Sequence, residues 1–244
     1  MKIIFSPSKK QKIVHIQTPR KTNILFREKT KHLVSYLQGK SIVDFQDLMK
    51  LSSTLASKTY SDYQNFNTIQ GRALSTFSGT SFSALSLLDY TDEQWGFAQK
   101  HVLILSALYG VLRPCDMIST YRLNMHDRIL KTEIPNLYHY WSDVVYQYFK
   151  NEDQIINLAS AEYVNMLDAR LSEIIINIHF LIEKAGTYKT IPVHAKKQRG
   201  AMLDVIITHN IINTNLLKKY KNDEFVYDPV KSDDHNMYFV KTMS

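Results

Sequence analysis

The sequence predicts an α/β fold in which a mixed sheet is flanked by helices and carries a helical hairpin as an appendage. Short apolar runs typical of buried strands alternate along the chain with segments of helical periodicity. Hydrophobic residues make up 44% of the 244 residues, and neither a linker-like stretch nor an internal repeat divides them. We therefore expect residues 1–244 to form a single domain, with the helical hairpin inserted at roughly residues 23–58.

The first part of the chain is expected to hold one strand and the helical hairpin. The apolar run at residues 2–5 predicts a short buried strand, and a basic loop follows over residues 6–21. Residues 23–37 carry their apolar side chains on one side of a helix, which Gly39 ends as a C-cap. A second helix over residues 44–57 begins at an aspartate, a good N-cap, and completes the hairpin.

The remaining elements follow from the same two signals, apolar runs for strands and periodic apolar positions for helices. In chain order these are a helix at 91–100, a strand at 102–106, a helix at 140–149, strands at 155–158, 174–180 and 190–195, a helix at 199–212 and a strand at 238–240. Because residues 174–195 resemble a hairpin, the sheet is expected to be mixed rather than wholly parallel.

Positive charge is concentrated near the N-terminus. The net charge of the chain is +7, but residues 1–40 alone hold ten basic residues and one acid, a net charge of +9. A local positive field of this size attracts polyanions, and nucleic acid is the first candidate. The competing interpretation is a solvated basic surface without a partner.

Several classes of protein lose support because their motifs are absent from the sequence. There is no phosphate-binding loop, no dinucleotide-binding glycine motif, no zinc-protease motif and no nucleophile elbow, so no cofactor and no metal site are expected. Cys115 is the single cysteine, so an internal disulfide is excluded and a peroxide-sensing thiol pair is not expected. No apolar run approaches the roughly 20 residues of a membrane span, and no secretory segment is recognised, which favours a cytoplasmic protein.

Five polar stretches lie at predicted strand ends or helix starts, where ligand sites commonly form. They are residues 6–9, 106–114, 116–125, 157–163 and 195–200. We expect them to gather around one site.

Each stretch has a structural alternative beside the functional interpretation. Ser6 and Lys9 have a spacing that lets an amine activate a hydroxyl on a helix, although the pattern is common by chance. Arg113, fixed by the proline after it, suits a phosphate, but it is equally suited to a structural pair with Asp116. Ser160 is either part of an anion pocket or simply the N-cap of a helix.

Two functions of different classes remain open beside a plain interaction protein. The first is sequence-independent DNA binding, with phosphate contacts from Lys9, Lys10, Lys12, Arg113, Arg122, Lys196, Lys197 and Arg199. The second is an enzyme acting on a nucleic-acid base or nucleotide, with a pocket formed by Ser6, Ser8, Tyr109, Asn157, Ser160 and Tyr163 and with Lys9 and Glu162 as candidate catalytic groups. The second requires Lys9 and Glu162 to face one cavity.

These stretches together resemble the bacterial YaaA family of peroxide-stress proteins over nearly the whole chain. The resemblance rests on Ser6-Pro7-Ser8-Lys9, Phe77-Ser78-Gly79, Leu108-Tyr109-Gly110-Val111-Leu112-Arg113-Pro114, Tyr121-Arg122-Leu123-Asn124-Met125, Asn157-Leu158-Ala159-Ser160-Ala161-Glu162-Tyr163 and Ala195-Lys196-Lys197-Gln198-Arg199-Gly200. It implies a single α/β domain of unusual topology, a positively charged cleft, a helix–hairpin–helix element and binding of duplex or branched DNA, with no established reaction. The turn of the predicted hairpin reads Gly39-Lys40-Ser41-Ile42, which departs from the usual Gly-x-Gly.

Overall fold

The fold is built around a mixed β-sheet. The computed structural model describes residues 1–16, 20–129 and 136–242. The strands within these residues are β1 (Lys2–Phe5), β2 (Lys10–Gln11), β3 (Gly71–Arg72), β4 (Phe77–Ser78), β5 (Val102–Ser106), β6 (Gly110–Leu112), β7 (Met117–Ile118), β8 (Ile155–Leu158), β9 (Ile175–Lys184), β10 (Thr187–Lys189), β11 (Lys221–Asn222), β12 (Phe225–Asp228) and β13 (Asn236–Thr242). The helices are α1 (Arg27–Gln38), α2 (Ile42–Met49), α3 (Ser53–Gln64), α4 (Ala73–Thr76), α5 (Asp92–His101), α6 (Leu137–Phe149), α7 (Ala161–Val164) and α8 (Pro192–Thr208). Three short 3₁₀ helices lie at Phe82–Ala84, Ala169–Ile174 and Thr214–Lys219.

The large sheet has nine described strands in the order β11-β12-β13-β9-β8-β1-β5-β6, with β10 paired to β9. Its centre, from β13 to β5, is parallel, and the outer pairs β5–β6, β12–β13 and β11–β12 are antiparallel. Helices flank the sheet, and β5 is buried along its whole length, as expected for a parallel strand covered on both faces. The predicted α/β class with a mixed sheet is therefore confirmed.

The predicted two-helix hairpin at residues 23–58 is not confirmed. The first helix begins at Arg27, and the expected second helix is two helices, α2 and α3, separated at residues 50–52. Ser41, rather than Asp44, caps α2, because its side chain accepts from the backbone N–H of Asp44 in a capping box. The Ser52 side chain accepts from the backbone N–H of Leu55 and caps α3, so each serine starts a separate helix.

The strand predicted at residues 190–195 is wrong, because Pro192 begins α8 instead. Proline is well tolerated in the first turn of a helix, where its missing N–H would have no partner. The hairpin itself exists, but its second strand is the short β10, joined to β9 by a tight turn at residues 185–186. The basic residues 196–199 consequently lie inside a helix and not in a turn before one.

The basic loop predicted at residues 6–21 contains the short strand β2, which pairs with β4. Residues 17–19 of that loop lie outside the described part of the chain. Over the described ranges, none of the helices combines the length and apolar character that crossing a membrane requires.

Candidate nucleic-acid interface

A cleft of about 350 Å³ opens where the parallel strands β1 and β8 end. Its walls are formed by residues 5–10 and 79–82, together with Asn124, Leu158, Ser160, Glu162, Tyr163, Lys196 and Arg199. Four of the five polar stretches therefore contribute to one cavity, and Gly79, the last residue of the Phe77-Ser78-Gly79 segment, lies in a further wall. The stretch at residues 106–114 does not line this cleft.

The loops after β1 and β8 are tied together by two serines. The backbone N–H of Ser160 donates to Ser6 Oγ at 2.8 Å, and the Ser6 hydroxyl donates to Ser160 Oγ at 3.2 Å. Ser160 stands at the N-cap position of α7, but its side chain makes no capping hydrogen bond there. Both serines thus set the shape of the cleft floor through contacts with each other.

Close packing between α8 and residues 79–82 brings the cations of α8 to the cleft. A Cβ on Gly200 would lie 1.9 Å from the carbonyl oxygen of Ser81, so only glycine permits this approach. Gly79 has a φ of +116°, and a Cβ there would lie 3.1 Å from Ser8 Oγ. The two glycines therefore bring the loop against α8 on one side and against the Ser-Pro-Ser-Lys segment on the other.

The cleft carries an excess of positive charge, because Lys9, Lys10, Lys196 and Arg199 line it with Glu162 as the one carboxylate among its described lining residues. Lys9, Lys10 and Lys196 are exposed, and no ion pair among the described residues involves them or Arg199. The Arg199 Nε is buried and has no hydrogen-bond partner, and burial lowers the pKa of this guanidinium. A buried cationic donor without a partner is costly, so an anion that binds here would stabilise the arrangement.

A second depression continues the cleft toward α3. It has a volume of about 270 Å³, and Lys9 and Lys10 line both cavities. Arg122 lies in this depression, and its Nε is buried without a hydrogen-bond partner, as at Arg199. We define the basic groove as Lys9, Lys10, Arg122, Lys196 and Arg199.

Acidic and phenolic groups gather beside the cleft near residue 163. Glu162 Oε1 accepts a hydrogen bond from the backbone N–H of Met125 at 3.2 Å, and both Glu162 and Lys9 line the cleft. Burial raises the pKa of the Tyr163 hydroxyl. Burial also raises the pKa of Asp127, although hydrogen bonds from Asn124 and the charge of Lys9 oppose this shift. Lys9 and Glu162, the candidate catalytic groups of the enzyme hypothesis, therefore line one cavity.

Neither Asn124 nor Asp127 is among the site residues that the sequence predicts. The backbone and side-chain N–H groups of Asn124 donate to Asp127 Oδ2 at 2.7 and 3.0 Å. The spacing of three residues between an asparagine and an aspartate is a turn signal, and it was available in the sequence. This turn places Asn124 in the wall of the cleft.

Three predicted site residues, Arg113, Tyr109 and Asn157, do not line the cleft and form hydrogen bonds elsewhere in the protein. Arg113 donates to the fully buried Asp116 at 2.8 Å and to the carbonyl oxygen of Asn23 at 2.7 Å, which is the structural pair considered for it. Tyr109 is 2% exposed, and its hydroxyl donates to the carbonyl oxygen of Ser119.

Asn157 is buried behind the cleft and does not line it. Its amide donates to Asn177 Oδ1 at 2.8 Å, and its oxygen accepts from the backbone N–H of Ala159 at 2.9 Å. It thereby holds the turn after β8 against β9.

Besides Arg113, two further predicted phosphate contacts lie outside the groove. Lys197 forms an ion pair of 2.7 Å with Asp223, and burial does not shield this pair from solvent. No acidic residue lies within three residues of Lys197 in the sequence, and its partner Asp223 is 26 residues away. The sequence alone therefore did not indicate this ion pair. Lys12 is exposed and lines none of the cavities described here, although its backbone N–H donates to the carbonyl oxygen of Thr76.

Metal binding and thiol chemistry have no visible site in the described ranges. Across residues 1–16, 20–129 and 136–242, histidine, cysteine and carboxylate side chains form no group of three suited to a metal ion. Cys115 is fully buried, and burial raises the pKa of its thiol to about 11. A thiolate, the form that peroxide oxidises, is therefore scarce at neutral pH.

Comparison with known proteins identifies the family. The sequence model described as peroxide stress protein YaaA matches residues 1–231. A UPF0246 protein of Fusobacterium nucleatum is 34% identical over 252 residues, covering all of both chains. UPF0246 proteins of Crocosphaera subtropica and Finegoldia magna are 36% and 34% identical, covering 91% and 100% of this chain and 92% and 99% of their own. The chain belongs to the YaaA family of peroxide stress proteins, as its motifs indicated.

Proposed function

We propose that this protein binds duplex or branched DNA through the basic groove, without strong sequence specificity, as part of the response to peroxide stress. The observation that carries the proposal is the groove itself, which holds five cations without an ion pair among the described residues. Lysine and arginine contacts with phosphates give affinity without reading sequence.

Two features of the groove favour phosphate as its ligand. Arg122 and Arg199 each keep a buried Nε without a partner, and a guanidinium binds phosphate through paired N–H donors. Lys9 and Lys10 lie in both cavities, so the positive charge is continuous along the groove. The peroxide-stress part of the proposal is supported by the description of the family to which the chain belongs.

The proposal is tested by fluorescence anisotropy with two labelled duplexes of unrelated sequence and one four-way junction. Arg199→Gln should weaken binding to all three by a similar factor, because it removes a phosphate contact and no base contact. Lys150→Gln removes an exposed charge outside the groove and serves as the matched control. Unchanged affinity of Arg199→Gln, or a loss confined to one sequence, contradicts the proposed groove.

A second function, chemistry on a nucleic-acid base or nucleotide, is favoured by one specific observation. Lys9 and Glu162 line the same cleft, as this hypothesis requires. In it, Glu162 acts as general acid or base on a nucleotide drawn out of the stack. The wild type should then convert its DNA substrate, and Glu162→Gln should lose this turnover while it keeps its affinity for DNA. If both the wild type and Glu162→Gln leave the DNA chemically unchanged, the enzyme hypothesis is rejected and DNA binding is the remaining function.

A further inference from the structure

A second and larger cavity of about 650 Å³ lies between α1 and the segment at residues 66–70. None of its lining residues lines the basic groove. A volume of this size falls within the range of sites for small molecules. It is therefore a separate candidate site, and nothing in the proposed function uses it.

One wall of the cavity is a polar face of α1. Arg27, Lys31, Ser35 and Gln38 are spaced at three or four residues and so share one side of the helix, while Leu33 and Leu37 on the same helix are buried.

The mouth of this cavity is positive. Neither Arg27 nor Lys31 forms an ion pair with any described residue, and Glu28 is the one carboxylate among the described lining residues. The excess of positive charge favours an anionic ligand.

The opposite wall combines an aromatic ring with two amides. Phe66 is half-buried and lies 6.3 Å from the ring of Tyr109, stacked at an interplanar angle of 27°. Asn67 and Gln70 flank it, and the Gln70 amide donates to Asn67 Oδ1 at 3.1 Å. Because Tyr63 also stacks near Phe66, at 6.1 Å between ring centroids, a planar heterocycle would pack against the exposed part of the Phe66 ring and exchange hydrogen bonds with the two amides.

A buried hydroxyl without a partner points independently to a ligand. Thr30 lines the cavity and is 3% exposed, yet its Oγ1 makes no hydrogen bond with the protein. A threonine inside a helix can satisfy its hydroxyl on the carbonyl of the preceding turn, so an unpaired one is unusual. A polar group of a ligand would supply the missing partner.

We propose that this cavity binds a nucleoside monophosphate unit, either as a free nucleotide or as part of a single DNA strand. The phosphate lies at Arg27 and Lys31, and the base lies against Phe66 beside Asn67 and Gln70. The sugar or base edge supplies the hydrogen bond that Thr30 lacks. The proposal is independent of DNA binding in the basic groove.

Isothermal titration calorimetry of the full chain tests this site. The probes are deoxyadenosine 5′-monophosphate, deoxyadenosine, inorganic phosphate and a 5′-phosphorylated single strand of six deoxyadenosines. The nucleotide should bind one to one and at least about tenfold more tightly than deoxyadenosine or phosphate alone. Deoxyadenosine lacks the phosphate that contacts Arg27 and Lys31, and phosphate lacks the base that contacts Phe66. Tighter binding of the strand than of the nucleotide assigns the site to DNA, and the reverse assigns it to a free nucleotide.

Two variants place the ligand in this cavity. Arg27→Gln with Lys31→Gln should weaken nucleotide binding by about tenfold or more, whereas Lys150→Gln with Lys219→Gln removes the same charge elsewhere and should not. Ser35→Trp should fill the cavity from an exposed helix position without disturbing the fold, which circular dichroism checks. Equal affinity of the nucleotide for wild type and both cavity variants overturns the proposal, as does a loss of nucleotide binding in Arg199→Gln instead.

Discussion

The ion pair between Lys197 and Asp223 predicts that two neighbouring lysines contribute unequally to DNA binding. Lys196 is unpaired and lines the groove, whereas Lys197 lies 2.7 Å from Asp223 and is already neutralised. Lys196→Gln removes one free positive charge from the groove. Lys197→Gln combined with Asp223→Asn removes a neutral pair and leaves the net charge of the protein unchanged.

The expected magnitude follows from the counterions that DNA releases. Each phosphate contact contributes a slope of about −0.9 to a plot of log affinity against log salt. Lys196→Gln should therefore flatten the slope by about 0.9. Over a fourfold rise in salt, the affinity of this variant should fall about 3.5-fold less than that of wild type. The double variant should keep the slope of wild type.

The assay is fluorescence anisotropy of a labelled duplex at several salt concentrations between about 50 and 200 mM, the range in which counterion release is readily measured. Circular dichroism on each variant controls for loss of fold. Equal flattening of the slope by the two variants, or no flattening by Lys196→Gln, would refute the assignment of Lys196 to a phosphate.

Three further predictions concern the support of the site. Gly200→Ala should lower the free energy of unfolding by about 1–3 kcal/mol in urea denaturation and weaken DNA binding, because its Cβ collides with the carbonyl of Ser81; Gly39→Ala, where space is available, should do neither. Arg113→Gln should destabilise the fold by about 3–5 kcal/mol, because it removes the ion-pair partner of the buried Asp116; an unchanged stability with weaker DNA binding would reassign this arginine to DNA. Cys115→Ser should leave survival in hydrogen peroxide unchanged in cells that depend on this protein, and a loss of survival would show that the thiol takes part.

The central strands of the sheet were predictable because their sequence signal is local. The run at residues 102–106 is apolar throughout, and only a strand covered on both faces buries every residue of such a run. The short antiparallel strands at the edges, such as β11 and β6, escaped prediction. Two or three residues carry no periodicity, and their pairing depends on partners elsewhere in the sheet.

The two main errors in the predicted elements have identifiable causes. The predicted strand at residues 190–195 rested on the β-branched residues Ile191 and Val193, which are common in strands. Pro192 instead occupies the first turn of α8, with Ile191 at its N-cap and Val193 inside the helix. The predicted helix at residues 44–57 followed a continuous apolar period, which outweighed Ser52 as a helix start.

The candidate site was predictable in part. Two of the four stretches that line the cleft, residues 6–9 and 157–163, follow the neighbouring parallel strands β1 and β8, and parallel strands align their carboxyl ends at one edge of the sheet. Pairings between distant residues were not predictable. Lys197 pairs with Asp223, which is 26 residues away in the sequence. The close contact at Gly200 is with Ser81, which lies more than a hundred residues earlier in the chain.

The most direct test of DNA binding by the basic groove is the salt dependence of wild-type affinity for a duplex. If all five cations of the groove contact phosphates, the slope of log affinity against log salt should be about −4 to −5. Two duplexes of unrelated sequence should give the same slope and nearly the same affinity. A slope shallower than about −1, or no measurable affinity at low salt, would contradict the account.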